Sequence, residues 1–288
     1  SWLFKPNSVI DETIATTKKR KFFVIGLTFL LVYYIATFMS RLIIAIPTYI
    51  IAFSDERFMS FIAEMANKTD FDAYMQEYQK SAEAILTQIV DDNMPLLNLF
   101  SLFGTLATIV VVIFYCCKIE KRRLFTLGFA RKCAFKEYIY GLIVGLLMFS
   151  ATYGIMLLSG EVESNGFDTD ISVKMVLLYL LGFIIQGASE EILLRGYFFV
   201  SCAANTNVTV SILASSALFA AMHISNPGFS LLAFINLFLF GVFAALYFLR
   251  RGSIWGICAL HTIWNFAQGN IFGCSVSGMP LEDTLLLT

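Results

Sequence analysis

Long apolar segments, separated by shorter polar ones, occupy most of the chain. A helix that crosses the ~30 Å apolar core of a bilayer needs about 20 residues. The runs are continuous and lack the alternation of barrel strands, which favours helices. The sequence therefore predicts an all-α, polytopic transmembrane helical bundle of about seven (six to eight) spans. The runs cover 22–40 with an extension to 53, 95–117, 138–158, 173–200, 208–224, 229–249 and 254–272.

The composition excludes a water-soluble globule. Apolar residues make up 58% of the 288 residues and charged residues 14%, whereas typical globular domains have about 45–50% and about 25%. A net charge of −1 gives no broad basic surface for nucleic acid. The six cysteines form no C-x-x-C pair, which favours mostly buried thiols over disulfides or a zinc site. We expect a multi-pass integral protein of the cell membrane that binds no nucleic acid.

The first run contains two residues that interrupt a membrane helix, Arg41 and Pro47. A charge near mid-membrane costs roughly 2.5–3.5 kcal/mol on insertion scales. We therefore expect Arg41 at an interface, with 42–53 as a short continuation, because that segment is too short to span by itself. The run is too long for the apolar part of a signal peptide, so a retained first span is expected.

Positive charges concentrate at one set of connections. Lys and Arg cluster at 18–21, 118–136 and 250–251, before the first, after the second and after the sixth run. The connection 54–93 instead carries nine Asp or Glu against three Lys or Arg. Because cytoplasmic loops are enriched in Lys and Arg, we expect a cytoplasmic N-terminus and an external C-terminus.

The polar excursion 54–93 contains an amphipathic pattern. Phe58, Phe61, Ile62 and Met65 have the i, i+3, i+4, i+7 spacing of one helix face. We interpret this segment as an external cap on the bundle. The alternative is a docking element for a membrane protein partner or a substrate.

Ionisable groups inside a membrane span are costly and point to function. The fourth run contains three of them, Glu190, Glu191 and Arg195. Glu191 and Arg195 are i, i+4 partners that can neutralise each other. Glu190 points about 100° away, and we expect it to have no partner in its own helix. A structural ion pair therefore leaves Glu190 unexplained.

The chain has only two histidines, and both lie in or at the end of apolar runs. His223 ends the fifth run, and His261 lies in the seventh, one turn before Asn265. If the fourth and fifth runs form a hairpin, its turn is at 205–207. Glu190 and His223 then lie about 16 residues, or ~25 Å, on either side of the turn and can face each other.

These groups together are suited to hydrolysis of an amide. Glu190 and His223 can hold and deprotonate a water as general base. His261 and Asn265 can donate hydrogen bonds to a developing oxyanion. This chemistry needs no covalent enzyme intermediate.

Three short patterns occur in order on the fourth, fifth and seventh runs: Glu-Glu-x-x-x-Arg at 190–195, Phe-x-x-x-His at 219–223 and His-x-x-x-Asn at 261–265. In this order they resemble the CAAX protease and bacteriocin-processing family of intramembrane endopeptidases. The resemblance covers 173–272. We therefore expect a catalytic helical core there, between an N-terminal transmembrane region, 1–172, and a C-terminal tail, 273–288.

The resemblance implies a role for each matching residue. Water activation would fall to Glu190 and His223, the oxyanion hole to His261 and Asn265, and support of the site to Glu191 and Arg195. The favoured mechanism has no cofactor. The alternative is a zinc ion held by Glu190, His223 and His261, although no His-Glu-x-x-His pair presents two ligands from one helix turn.

The resemblance also implies a peptide or protein substrate associated with the bilayer. Eukaryotic family members remove the last three residues of prenylated CAAX proteins. Bacterial members are linked to bacteriocin maturation or immunity, peptide-signal processing and envelope regulation.

Other functions stay open from the residues alone. The same fold could serve as a non-catalytic scaffold or regulator of an envelope enzyme or of bacteriocin immunity. A proton-coupled transporter could use a Glu/His relay, but the chain shows no paired repeats with broken helices. Serine or cysteine catalysis fits less well, because no Gly-x-Ser-x-Gly elbow occurs and Ser189 or Cys202 would have to serve.

Overall fold

The computed structural model describes residues 4–66 and 71–288. Within these ranges the regular structure is helical, and β pairing is limited to isolated bridges. The predicted all-α fold is therefore confirmed. The α-helices are α1 (Ser8–Thr16), α2 (Phe22–Ser54), α3 (Glu56–Ala66), α4 (Phe71–Asp92), α5 (Met94–Gly104), α6 (Leu106–Phe114), α7 (Ala134–Ser159), α8 (Val173–Glu191), α9 (Val200–Asn205), α10 (Val208–Ala221), α11 (Leu231–Arg251) and α12 (Trp255–Phe266).

Five helical segments in the described residues are long and apolar enough to cross a membrane. Two further apolar helices are shorter: α10 has 14 residues, and α12 is continued by a π-helical turn, Ala267–Ile271. Each of the seven predicted runs therefore forms a helix, and the chain is a multi-pass membrane protein. The five long segments are Phe22–Ser54, Met94–Ile119, Ala134–Ser159, Val173–Asn205 and Leu231–Arg251.

The first long helix continues without a break past Arg41 and Pro47. All 33 residues of α2 are helical, so 42–53 extends the first span and is not a separate element. At ~1.5 Å per residue α2 is about 50 Å long, which exceeds the apolar thickness of a bilayer. The amphipathic pattern that follows lies on α3, as predicted, with Ile62 exposed and Phe58 half-buried.

The three predicted cytoplasmic segments meet at one end of the bundle. The side chain of Asn7 caps α1 and donates hydrogen bonds to the carbonyls of Phe248 and Leu249 at the end of α11, both at 3.2 Å. Arg20 forms an ion pair with Glu120. Burial opposes the charge of Arg20, but the Glu120 carboxylate outweighs it, and the pKa of Arg20 lies above its ordinary value. We call this end the basic face.

The opposite end joins two other connections. The amide of Asn165 donates to the carbonyl of Leu287 at 2.8 Å, and the amide of Ser172 donates to Oδ1 of Asp283 at 2.8 Å. The tail 273–288 thus packs along the loop that precedes α8. We call this end the acidic face.

Glycines bring the helices of the core into close contact. A methyl group on Gly141 of α7 would lie 2.0 Å from the carbonyl oxygen of Gly256 on α12. On α8, a methyl group on Gly187 would lie 2.9 Å from the amide nitrogen of Thr262. These approaches fix α12, which carries one histidine, between α7 and α8.

All six cysteines are free thiols. Three are buried, namely Cys116, Cys202 and Cys258. Cys133, at the start of α7, is exposed. The expectation of small buried residues therefore holds for three of the six.

Candidate active site

The two glutamates end the α-helical part of the fourth span. After Glu191 the backbone widens into a π-helical segment, Ile192–Phe199, a local form that often occurs at functional sites. Nη1 of Arg195 lies 3.0 Å from Oε1 of Glu191, and neither side chain has exposed surface. Nη2 of Arg195 also donates to the carbonyl of Gly241 on α11 at 3.3 Å. The predicted i, i+4 ion pair therefore forms and ties α8 to α11.

Glu191 has a second partner that sequence reasoning missed. Its Oε1 atom lies 2.8 Å from Nδ1 of His261 on α12. Because a carboxylate accepts, the His261 Nδ1–H donates this bond, which turns Nε2 of the ring toward Glu190. Nε2 of His261 and Oε2 of Glu190 are 3.8 Å apart.

Glu190 is held from within its own helix, and the expectation that it would lack such a partner is wrong. Nε2 of Gln186, one turn earlier, donates to Oε1 of Glu190. Oε1 of Gln186 in turn accepts from Nδ2 of Asn265 at 2.9 Å. One amide therefore links the carboxylate on α8 to the asparagine on α12. The i, i+4 spacing of Gln186 and Glu190 could have predicted this contact. It was missed because only ionisable residues in the spans were considered as candidates.

His223 lies two residues beyond the end of α10. Its Nδ1 is 2.8 Å from the carbonyl oxygen of Phe219. A carbonyl can only accept, so Nδ1 carries the proton and Nε2 is the ring atom left for other contacts. The rings of Phe219 and His223 lie 4.9 Å apart, and Phe219 also packs 6.0 Å from the His261 ring. Phe219 therefore packs against both imidazoles.

Two adjoining cavities collect the predicted residues. A cavity of about 490 Å³ is lined by His223, His261 and Asn265. A second, of about 250 Å³, is lined by Glu190 and again by His223. Gln186 contributes to both. The structure thus brings the four sequence-predicted residues of the water-activating and oxyanion sets to one region.

The alternative nucleophiles lie elsewhere. Ser189 is buried and its hydroxyl donates to the carbonyl of Gln186 at 2.8 Å. Cys202 is buried at the basic face, near the 205–207 turn. Neither side chain lines the two cavities.

The same geometry bears on the zinc alternative. No group of three or more His, Cys, Asp or Glu in the described part of the chain is arranged to hold a metal ion. Glu190, His223 and His261 do not meet as a ligand set. The absence of a cofactor stays a prediction.

The C-terminal tail forms the outer wall of the cavities. Ser275, Val276, Ser277 and Gly278 line the larger one, and Nε2 of Gln268 donates to the carbonyl of Ser275. This contribution was not predicted, because the tail lies outside the three patterns and the apolar runs.

Comparison with known families supports the pattern. A family model described as type II CAAX prenyl endopeptidase Rce1-like matches residues 172–267. No curated protein and no solved structure matches the chain. The matched region includes all seven residues of the three patterns. It belongs to the CAAX protease and bacteriocin-processing family of membrane endopeptidases.

Proposed function

We propose that the chain is an intramembrane endopeptidase that hydrolyses a peptide bond of a membrane-associated protein or peptide. One observation carries the proposal. Oε2 of Glu190 is buried, has no hydrogen-bond partner in the protein and faces Nε2 of His261 across 3.8 Å. That gap is too long for a direct hydrogen bond, but an oxygen atom placed beside it can bond to both groups. A buried carboxylate oxygen without a hydrogen-bond partner is costly and suggests use in chemistry.

The first step would be attack by water on the scissile carbonyl. Glu190, assisted by Nε2 of His223, takes a proton from the water as its oxygen bonds to the carbonyl carbon. When the tetrahedral intermediate collapses, the C–N bond breaks and the same proton passes to the leaving amine. The second proton of the water then passes from the new carboxylic acid to the amine, so the products are a carboxylate and an ammonium group, and the enzyme is unchanged.

The negative oxygen of that intermediate would be stabilised by α12. Asn265 has two N–H groups on Nδ2, and Gln186 accepts one of them, so the other is available. His261 donates from Nε2 only if its ring carries both protons, because its Nδ1–H is held by Glu191. With that charge, Arg195 and His261 balance Glu190 and Glu191, and the buried cluster is neutral.

Two substitutions at Glu190 test the mechanism. Glu190→Gln keeps the shape and removes the base, and Glu190→Ala removes the side chain. In reconstituted vesicles that display a library of lipid-anchored, internally quenched peptides, both should abolish cleavage while helicity and thermal stability persist. Glu163→Gln, on the exposed loop before α8, is the matched control and should retain full activity.

If Glu190→Gln cleaves as fast as the wild type, Glu190 is not the general base and the proposed mechanism is wrong. Inhibition by 1,10-phenanthroline, reversed by added zinc, would instead favour the metal alternative. If the wild type cleaves nothing in the library, and deletion of the protein alters the abundance of an envelope enzyme that Glu190→Gln restores as well as the wild type does, the scaffold function would replace the protease.

A further inference from the structure

The cavities lie toward one end of the bundle because one helix is short. The 14 residues of α10 extend ~21 Å, whereas a bilayer core is ~30 Å thick. Starting from the 205–207 turn at the basic face, α10 therefore ends inside the membrane. The segment 222–230 that follows lies in a recess on the acidic side.

The walls of this recess come from acidic-face segments. Asn226 and Phe229 belong to the connection after α10, Gln268 to the end of the last span, and 275–278 to the tail. Among the described residues, the lining includes none from 4–21, 115–133 or 250–254, the connections of the basic face.

The basic side of the site is closed by packed side chains. Between Glu190 and the 205–207 turn, the span is buried throughout the π-helical segment and as far as Ala203. Phe199 packs edge-on against Phe248 at 6.0 Å, and Ile10 of α1 belongs to the same cluster with no exposed surface. A chain segment can therefore reach Glu190 from the acidic side, but the packed core blocks the basic side.

The charge of the connections assigns these two sides to the membrane. The basic-face segments 4–21, 118–137 and 250–251 contain 14 Lys or Arg and 4 Asp or Glu. The acidic-face segments 54–66, 71–93, 160–174 and 273–288 contain 3 Lys or Arg and 14 Asp or Glu. Lys and Arg are retained on the cytoplasmic side, so the basic face is cytoplasmic.

We propose that the site is loaded from the non-cytoplasmic face, and that its substrate is a peptide segment exposed there. A prenylated C-terminus in the cytosol does not meet this requirement. The cavity walls offer neutral amides such as Asn236 and aromatic rings such as Trp264, which suit an extended, uncharged segment. The acidic face around the mouth would attract a cationic flank. The substrate class rests on the proposed protease function, but the side of entry does not.

The side of entry is tested by thiol labelling. In a background with Cys117, Cys133 and Cys274 replaced by alanine, one reporter is restored: Cys133 at the basic face, or Ser275→Cys at the cavity rim. Cys274 is removed because burial raises the pKa of its thiol and slows its reaction. A membrane-impermeant maleimide should label Ser275→Cys in intact cells and Cys133 only after permeabilisation. The reverse pattern would overturn the proposal, whatever the catalytic activity.

The substrate is tested with quenched peptides of one apolar centre and either Lys or Asp flanks. Right-side-out vesicles should cleave the Lys-flanked peptide at least tenfold faster than the Asp-flanked one, with the difference falling as salt rises. Cleavage confined to inside-out vesicles would overturn the proposal. If neither vesicle type cleaves while Ser275→Cys labels in intact cells, the protease function fails and the side of entry stands.

Discussion

Nδ1 of His261 lies 2.8 Å from Oε1 of Glu191, the same oxygen that Arg195 approaches at 3.0 Å. One carboxylate thus holds both a permanent cation and an imidazole, on two different helices. Glu191 and Arg195 have no exposed side-chain surface, and His261 is almost fully buried. Glu191 therefore fixes the ring orientation of His261 in addition to neutralising Arg195, so its loss has two separable effects.

Glu191→Gln should destabilise the protein by about 3–5 kcal/mol, because it leaves the buried Arg195 charge without its partner. The double variant Glu191→Leu with Arg195→Met removes both charges and should recover most of the stability. It should stay inactive, because Nδ1 of His261 has lost its acceptor. Thermal unfolding and peptide cleavage measure the two effects separately.

Glu12→Gln is the control for that series. It breaks the exposed Arg123–Glu12 pair at the basic face, which should change stability by less than about 1 kcal/mol. An active double variant would show that the contact between Glu191 and His261 has no part in the reaction.

Gln186→Met should lower kcat on the order of 10- to 100-fold with little change in thermal stability. Methionine has a similar shape but cannot bond to Glu190 or to Asn265, so both groups lose their orientation. Gln88→Met, on the exposed surface of α4, is the matched control. The pH–rate profile should also change, because the loss of the Gln186 hydrogen bond to Oε1 alters the environment of Glu190, the base. A purely structural role of Gln186 would leave this profile unchanged. Equal kcat and an unchanged profile would leave Gln186 with a structural role alone.

The spans could be predicted because their signal is local. Twenty consecutive apolar residues are unfavourable in water wherever they occur, and the 205–207 turn carries its own residue preference. The hairpin arithmetic then placed Glu190 and His223 at similar depth, and both line the smaller cavity. The prediction depended on helix rise, which varies little between proteins.

The contacts that the sequence did not predict join residues that are far apart in the chain. Helix α1 is stabilised because Val9 and Ile10 are buried against residues that come some 190 positions later in the chain. The sequence of 1–21 does not indicate which residues these are. The Glu191–His261 bond has the same origin, with 70 residues between the partners. Gln186 carries no charge, so its position in an apolar run did not mark it as a functional candidate. A single sequence gives composition and spacing, but not which surfaces meet.

Gly187→Ala should destabilise the protein by about 1–3 kcal/mol and reduce cleavage. The added methyl group would lie 2.9 Å from the amide nitrogen of Thr262, so α8 and α12 must separate. That movement carries Glu190 away from Asn265. Gly154→Ala on α7 adds the same group where nothing lies within 4 Å and should leave stability and cleavage unchanged. Similar behaviour of the two variants in thermal unfolding would show that the close approach of α8 and α12 is not required.

Gly278→Ala should raise KM on the order of 3- to 10-fold while kcat changes little, because it disturbs a wall of the cavity and not the reacting groups. Gly278 has a φ of +81°, and an added methyl group would lie 2.1 Å from the carbonyl oxygen of Pro227. The tail must therefore move away from the connection after α10. Gly166→Ala, at a φ of +96° with nothing within 4 Å, carries the same backbone strain without the clash and should keep its KM. If both variants have the wild-type KM, the tail does not contact the substrate, and the outer wall of the site must be sought in 222–230 alone.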